Sequence, residues 1–242
     1  MRSTHGRTLI VSDIHGNLAA LEAVLREPHD GLICLGDVVG YGPEPGGCLR
    51  RLVAEDAVLI QGNHDRSLAD GSPPRCRPSF ERLALAAAPL GEGQLTRDEK
   101  RHLGSLPRWL AMDLGPFECM AVHATPSDPL YRYLGPDENA WAVELEASDD
   151  DIVLVGHTHL QFDLRTRAGR VVNPGSVGQP KDGNPDAAFA LVDGESVRFG
   201  RVPYDVAVTI EALRSRGVEG QTLRDLGEIL TRGRVPERLS GP

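Results

Sequence analysis

The sequence has no apolar stretch long enough to cross a membrane as a helix. Its first residues, MRSTHGRTLIVSD, also lack the continuous apolar region and the small-residue cleavage site of a secretory signal. The four cysteines show no CxxC spacing, and Cys34 and Cys119 lie inside apolar runs, so we expect buried, reduced thiols. These absences favour a cytoplasmic protein that has no membrane partner and is not built on disulfides.

Basic residues are also fewer than acidic residues. The chain carries 26 Lys and Arg against 35 Asp and Glu, which gives a net charge of −9 at pH 7. A surface that neutralises many phosphates of a long nucleic acid needs the opposite balance, and no stretch interleaves basic with aromatic residues. We therefore expect no long nucleic-acid partner, while a small phosphorylated substrate is compatible with this charge.

The order of apolar runs and helical patterns indicates an α/β fold in a single domain over residues 1–242. Strands predicted at 8–11, 32–35 and 58–61 alternate with helices at 17–26 and about 48–54, which favours a mainly parallel sheet. Later strands are predicted at 119–122, 152–155, 162–166, 170–172, 188–192 and 197–202. The turns RAGR and DGES among them suggest antiparallel hairpins and a mixed second sheet packed on the first.

Two helical regions lie outside this alternation. Residues of about 66–107 form a predicted helical insertion, in which TRDE matches a helix capping box. The insertion either forms one wall of a pocket or is a plain crossover that packs on the sheet. C-terminal helices are predicted at about 205–230, with RGVEG between them.

Five apolar runs each stop at residues that bind metal ions: TLIVSDIH, GLICLGD, VLIQGNHD, CMAVH and IVLVGHTH. If each run is a buried strand, the polar ends meet at one edge of a sheet, where open α/β folds place their sites. The side chains delivered there are Asp13, His15, Asp37, Asn63, His64, His123, His157 and His159. This pattern predicts a two-metal hydrolase.

Each motif taken singly has a simpler explanation. The pair Asp13 and His15 is common by chance, and an aspartate that caps a helix accounts for it equally well. A lone histidine is usually a hydrogen-bonded core residue or an exposed one. Five of the eight histidines nevertheless fall at matching places after apolar runs, which coincidence explains poorly. A structural zinc site would normally include cysteines, and none lies in these motifs.

The motifs SDIHGN, GDVVGYGP, GNHD, VHATP and GHTH, in this order, resemble the signature blocks of calcineurin-like metallophosphoesterases, especially the small bacterial and archaeal phosphodiesterase-like branch. NPGSVGQPKDG resembles a further block of that branch. The resemblance covers most of residues 8–202. It implies a four-layer αββα sandwich with mixed sheets and a dinuclear metal site between loops at the sheet ends.

The resemblance also implies a role for each motif residue. One metal ion would be held by Asp13, His15, Asp37 and His159, and the other by Asp37, Asn63, His123 and His157. His64 matches the histidine that stabilises or protonates the leaving oxygen. Asp65 would orient that histidine or would be a simple turn residue.

The implied cofactors are two divalent transition-metal ions. Mixed imidazole, carboxylate and amide ligands suit manganese, iron, zinc or cobalt better than magnesium, which prefers oxygen. Two such ions lower the pKa of a bridging water, so that hydroxide attacks phosphorus in line with the departing group. No covalent protein nucleophile is then required.

Signals for the substrate are weaker. Asn17 is predicted to cap the first helix and is also a candidate substrate contact. Tyr41 would either stack on a base or leaving group or pack within its Gly- and Pro-rich loop. Arg66, Arg132 and Lys181 are candidate phosphate contacts, with solvated surface charge as the alternative.

The predicted function is metal-dependent hydrolysis of a small phosphate mono- or diester, which makes the protein an enzyme. A protein Ser/Thr phosphatase is one alternative, but its second block resembles GDxVDRG where this chain reads GDVVGYG. A non-catalytic scaffold of the same fold is another. Such scaffolds have ligands or the catalytic histidine replaced, and this sequence keeps both. The acidic balance disfavours a nuclease.

Overall fold

The computed structural model describes residues 2–4, 6–146 and 148–239. Its strands are β1 (Arg2–Thr4), β2 (Thr8–Val11), β3 (Gly31–Cys34), β4 (Val58–Leu59), β5 (Trp109–Leu114), β6 (Phe117–Val122), β7 (Ile152–Leu154), β8 (Gln161–Thr166), β9 (Gly169–Pro174), β10 (Ala187–Asp193) and β11 (Ser196–Val202). Its helices are α1 (Leu18–Val24), α2 (Pro45–Ala54), α3 (Asn63–Asp70), α4 (Pro78–Gln94), α5 (Arg97–Ser105), α6 (Glu138–Leu145), α7 (Val206–Ser215) and α8 (Gly220–Arg232). None of the helices in this part of the chain is long and apolar enough to span a membrane.

The strands form two mixed sheets. In the first sheet the order is β11-β10-β2-β3-β4, and β2, β3 and β4 run parallel, as the alternation of strands and helices predicts. In the second sheet the order is β1-β5-β6-β7-β9-β8, with β6, β7 and β9 parallel. The parallel strands of each sheet therefore end at a common edge, where the loops that follow them meet.

Buried apolar clusters show how the layers stack. Ile10 of the first sheet and Leu154 of the second lie in one cluster, which fills the space between the sheets. The outer face of the first sheet is covered by α1 and α2 through Leu21 and Leu52. Trp141 of α6 packs on the outer face of the second sheet. The order helix, sheet, sheet, helix confirms the four-layer αββα sandwich.

The predicted division of strands between the sheets is partly wrong. The hairpin of β10 and β11 does not join the second sheet, because β10 pairs antiparallel with β2 and so extends the first sheet. Strand β5 and helix α6 are missing from the sequence prediction. The strand WLAMDL is partly exposed, and the short segment ENAWAVEL does not place its apolar residues on one helical stripe, so neither gave a clear signal.

The predicted insertion contains α3, α4 and α5, although α3 begins earlier, at Asn63. The capping box of α5 is present: the Thr96 hydroxyl accepts from the Glu99 N–H at 3.2 Å, and the Glu99 carboxylate accepts from the Thr96 N–H at 2.7 Å. Leu83 of α4 packs against Leu226 of α8 in a further buried cluster. The insertion and the C-terminal helices thus stabilise each other beside the sandwich.

Candidate active site

The loops at the common edge of the two sheets bring the predicted side chains together. Asp13 and His15 follow β2, and Asp37 follows β3. The remaining residues follow β6 and β7 or begin helix α3: His123, His157, His159, Asn63 and His64. Every one of these side chains is buried, with at most 6% of its surface exposed.

One group of ligand atoms surrounds Asp13. Its Oδ1 atom lies 3.3 Å from Nε2 of His159 and 3.8 Å from Nε2 of His15. The Nε2 atoms of His15 and His159 are 3.1 Å apart. The three ligand atoms lie within 4.8 Å of one another, which is close enough for a single cation to contact them all.

A second group surrounds His123. Its Nε2 atom is 3.2 Å from Nδ1 of His157 and 3.1 Å from Oδ1 of Asn63. Oδ2 of Asp37 lies 3.4 Å from the same nitrogen and 3.8 Å from Nε2 of His15 in the first group. The Asp37 carboxylate therefore stands between the two groups.

Main-chain carbonyls orient three of the imidazole rings. Nδ1 of His15 donates to the Val39 carbonyl, Nδ1 of His123 to the Leu35 carbonyl, and Nδ1 of His159 to the Gln179 carbonyl. A hydrogen bond from one ring nitrogen fixes the tautomer, so that the other nitrogen carries no proton and its lone pair is available to a metal ion. The nitrogens presented here are the Nε2 atoms that converge on Asp13 and Asp37.

The donor set fits divalent transition-metal ions. Oδ1 of Asp13 is fully buried and has no hydrogen-bond partner among the described residues, although burying a charged oxygen without a partner is costly. Burial raises the pKa of Asp13 to about 6. A cation between this oxygen and the facing imidazoles would neutralise the carboxylate charge. It would also bind the lone pairs of the ring nitrogens that otherwise face each other at short distance.

The backbone at the site adopts the left-handed conformation at several residues that are not glycine. Positive φ angles between 49° and 64° occur at Asp13, His15, Asp37, His157 and His159. In an extended strand, the Asp-x-His and His-x-His spacing would itself point both side chains of a pair one way. Both pairs lie in loops instead, where paired left-handed residues turn the side chains to the site. Such strain concentrates at functional sites.

Burial also sets the protonation of the imidazoles. It lowers the pKa well below the usual value at three of them: His15, His157 and His159. Burial opposes charge on Asp37 and His123 as well, but their mutual attraction holds the pKa of Asp37 well below its usual range and raises that of His123 to about 9. The neutral imidazoles of these three histidines and the ionised carboxylate of Asp37 are the forms that bind a cation, whereas His123 would release a proton as a cation binds.

His64 lies at the start of α3, on the rim of the first group. Its ring centroid is 5.1 Å from that of His15 and 4.7 Å from that of Tyr41, and burial lowers its pKa to about 4. Gly40 makes room for the ring, because a Cβ atom there would be 2.7 Å from Nδ1 of His64. The His64 N–H donates to Oδ1 of Asp37 at 2.8 Å, which ties the helix start to the shared carboxylate.

Asp65 has a different contact from the one expected. Its carboxylate accepts hydrogen bonds from the main-chain N–H groups of Asp37, Val39 and Gly62, at 2.8, 3.1 and 2.9 Å. Among the described residues these are the hydrogen bonds of the carboxylate, and the His64 ring is not a partner. Asp65 thus holds the Asp37 loop against the start of α3.

Asn17 caps α1 as predicted, and its side chain is hydrogen-bonded within the protein. Its Oδ1 atom accepts from the Ala20 N–H and from the Thr209 hydroxyl, and its Nδ2 atom donates to the Gly178 carbonyl and the Tyr204 hydroxyl. Only 1% of the residue is exposed. With all its hydrogen-bonding capacity satisfied inside the protein, Asn17 joins α1 to the C-terminal half of the chain.

Tyr41 packs within the structure, which was the alternative to a stacking role. It is 3% exposed, and its ring centroid is 4.8 Å from that of His15 and 6.2 Å from that of Phe80. Arg66 and Arg132 pair with Asp70 and Glu144, and they do not join the two groups. Neither arginine is therefore a contact of this site.

Lys181 does reach the site. Its Nζ atom is 3.4 Å from Nε2 of His159 and 4.4 Å from the centroid of the Phe80 ring. Burial lowers the pKa of Lys181 to about 8. Of the three cations named from the sequence, this one lies beside the candidate metal ligands.

Sequence reasoning missed a cover over the site. The Tyr133 ring stacks on His157 with centroids 3.8 Å apart, and the Arg77 guanidinium lies 5.1 Å above Tyr133. The Pro74 carbonyl accepts from Nδ2 of Asn63 at 2.7 Å. The start of the insertion therefore forms one wall of the site, the first of the two alternatives. In the sequence, only the turn-rich stretch SLADGSPPRCRPS, residues 67–79, pointed to it.

Comparison with known proteins identifies the family. Residues 7–196, well over half of the chain, match the model of the calcineurin-like phosphoesterase superfamily domain. The chain belongs to this superfamily. As a calcineurin-like phosphoesterase it is a metal-dependent hydrolase, and the groups around Asp13, Asp37 and His123 are where its described residues could hold metal ions.

Individual relatives cover nearly all of this phosphoesterase. A metallophosphoesterase from Sphaerobacter thermophilus has a TM-score of 0.80 and 30% identity, over 95% of this chain and all of its own. An uncharacterized protein of Methanocaldococcus jannaschii is 29% identical over 247 residues, which is 93% of this chain and 97% of the relative. Phosphodiesterase YfcE of Escherichia coli K12 is 26% identical over 205 residues, 78% of this chain and 88% of YfcE.

Proposed function

We propose that this phosphoesterase hydrolyses a small phosphate mono- or diester at a centre of two divalent transition-metal ions. The ligands of one ion would be Asp13, His15, Asp37 and His159, and those of the other Asp37, Asn63, His123 and His157. The position of Asp37 carries the proposal, because its Oδ2 atom lies 3.8 Å from the His15 nitrogen and 3.4 Å from the His123 nitrogen. A carboxylate in that position is suited to bridge two cations.

The protein's own residues would position the substrate and assist the departure of the leaving group. The ions, when bound, supply Lewis-acid stabilisation of the phosphate and a nucleophile that is available near neutral pH. His64 faces the first group from the rim and would donate a hydrogen bond to the leaving oxygen. Asp65 would act indirectly. It holds the Asp37 loop, and the Asp37 carboxylate accepts a hydrogen bond from the main-chain N–H of His64.

The burial of the site favours a small substrate over a phosphoprotein. The candidate ligands are at most 6% exposed, whereas a folded phosphoprotein needs an open surface groove. Retention of all seven candidate ligands and of His64 favours an enzyme over a scaffold. The similarity to Escherichia coli YfcE, named a phosphodiesterase, supports an ester substrate. A protein Ser/Thr phosphatase is thus the weaker proposal.

Turnover of generic esters tests the reaction. We expect the manganese-loaded protein to hydrolyse p-nitrophenyl phosphate, bis-p-nitrophenyl phosphate or both, and failure with both would favour the scaffold. His64→Ala should lower kcat by about 10²- to 10⁴-fold, the usual contribution of acid-base catalysis, with metal content unchanged. Arg66→Ala is the matched control, because Arg66 pairs with Asp70 at 3.2 Å outside the two groups. Equal turnover by the two variants would refute the role of His64.

Metal content tests the two-ion arrangement separately. Asp37→Asn should weaken both sites, because the carboxylate is shared, whereas His159→Ala should weaken only one. Elemental analysis after dialysis should therefore find two ions per chain in the wild type and about one in His159→Ala. A wild-type content of one ion, or equal losses in the two variants, would contradict a shared Asp37.

A further inference from the structure

Lys181 is held against the metal-facing side of His159. Two residues before it, the Gln179 carbonyl accepts from Nδ1 of His159. The chain then turns so that the Lys181 ammonium lies 3.4 Å from Nε2, the nitrogen that faces Asp13 and His15. The segment Gln179–Lys181 thus contacts both nitrogens of one imidazole and delivers a cation to the centre of the candidate site.

The insertion keeps that ammonium in place. Phe80, near the start of α4, lies under it with 4.4 Å between Nζ and the ring centroid, a distance at which the ring face attracts a cation. The Phe80 ring is 4% exposed and also contacts Tyr41. The lysine is therefore fixed by packing from the opposite wall and does not extend freely into solvent.

No carboxylate pairs with Lys181 in the part of the chain that the structure describes. Other cations of the chain do have such a partner: Arg132 pairs with Glu144, Arg66 with Asp70, and Lys100, the other lysine of the sequence, with Glu92. Partial burial of an ammonium group without a carboxylate partner costs free energy unless a bound anion neutralises the charge. At a phosphoesterase centre the anion that arrives there is the phosphate of the substrate.

We propose that Lys181 binds the non-bridging oxygens of the substrate phosphate and biases the site towards dianionic monoesters over monoanionic diesters. This inference rests on the proposed function. Electrostatic attraction grows in proportion to the charge of the ligand, so a fixed ammonium stabilises a dianion about twice as much as a monoanion. Lys181 is then a specificity-determining residue, distinct from His64, which acts on the leaving oxygen.

The ratio of two activities measures this bias. For the manganese-loaded protein, Lys181→Gln should lower kcat/KM for p-nitrophenyl phosphate by about 10- to 100-fold, the usual range for a charge-assisted hydrogen bond. It should lower kcat/KM for bis-p-nitrophenyl phosphate by only about 3- to 10-fold, because the free energy lost is about half as large, so that the ratio falls about 3- to 10-fold. Lys181→Arg should recover most of the ratio, and Lys100→Gln, the matched lysine control, should not change it. Equal losses on both substrates would overturn the proposal.

A binding measurement separates this inference from the proposed function. Titration calorimetry of the metal-loaded protein with inorganic phosphate should show a Kd about tenfold higher, or more, for Lys181→Gln than for the wild type. If the wild type cleaves neither ester, the proposed function fails, but the phosphate titration still tests Lys181. An unchanged Kd for phosphate would refute the assignment whatever the turnover.

Discussion

Replacement of Gly40 by alanine tests whether His64, the proposed catalytic histidine, needs the space that the glycine leaves. Gly40 has a φ angle of +96°, and a Cβ atom there would lie 2.7 Å from Nδ1 and 3.0 Å from Cγ of His64. Ordinary van der Waals contact begins at about 3.4 Å, so the ring or the loop must move by roughly 0.7 Å. Since a misplacement of about 1 Å costs on the order of 10²-fold in rate, we expect kcat/KM to fall about 10- to 100-fold.

Backbone strain contributes to the same substitution and has to be separated from the displacement of His64. A left-handed residue other than glycine costs about 1–2 kcal/mol, which corresponds to a fall in Tm of roughly 2–8 °C for a chain of this size. Gly217, between α7 and α8, provides the control: its φ angle is +86°, and a Cβ atom there would meet nothing within 4 Å. Gly217→Ala should therefore lose stability by the strain alone and keep its activity.

Melting curves and ester hydrolysis, measured on both variants with manganese present, distinguish the two effects. We expect similar strain in the two proteins and a loss of activity only in Gly40→Ala. Equal activity of the two variants would refute the argument that the His64 ring must stay at its present position. A large loss of activity in Gly217→Ala would show instead that general destabilisation, and not local displacement, controls turnover.

Two further predictions concern stability. Burial opposes ionisation of Asp225, but hydrogen bonds from Arg238, Gln221 and Arg82 hold its pKa below the usual value. Asp225→Asn should therefore lower the free energy of unfolding by about 1.5–3 kcal/mol at pH 7. The difference should be complete above the unfolded pKa of about 3.9 and vanish as pH falls through the folded pKa, which denaturant titrations between pH 7 and 3 would detect or refute. Removal of metal with EDTA should lower Tm by about 8–16 °C relative to protein at a cation concentration near 1,000 times Kd, and an unchanged Tm would contradict metal binding by the folded state.

The sequence was sufficient to predict the residues that meet at the site because they follow buried parallel strands. Asp13, Asp37 and His123 each come after a short β-branched or apolar run, and such strands carry their following loops to one edge. The four-layer arrangement came from the family resemblance. Local pattern could not decide which sheet receives a late hairpin: β10 pairs with β2 across about 180 residues, and that pairing depends on the packing of both sheets.

The cover of the site was beyond sequence reasoning for the same physical reason. Phe80 and Tyr133 are far apart in the chain, and they reach the site through contacts with Lys181 and His157. Asn17 is a different case. It stands inside a signature block beside two ligand residues, yet its four hydrogen bonds are to the protein itself. Position in a motif therefore does not distinguish a residue that contacts substrate from one that holds the loop.

The geometry of the ligand loops explains why the motifs are so specific. Left-handed backbone at Asp13, His15 and Asp37 is unfavourable for these residues, and within the described part of the chain the buried Oδ1 of Asp13 has no hydrogen-bond partner. Both costs would be offset by one event, the binding of cations between the converging side chains. The hydrogen bonds that hold these loops, such as those that the Asp65 carboxylate accepts from the Asp37 and Val39 N–H groups, must then keep the loops from relaxing before cations bind. Motif residues that hold the loops would therefore serve metal binding, as the candidate ligands do. This explains why the motifs include residues that would not contact a metal ion.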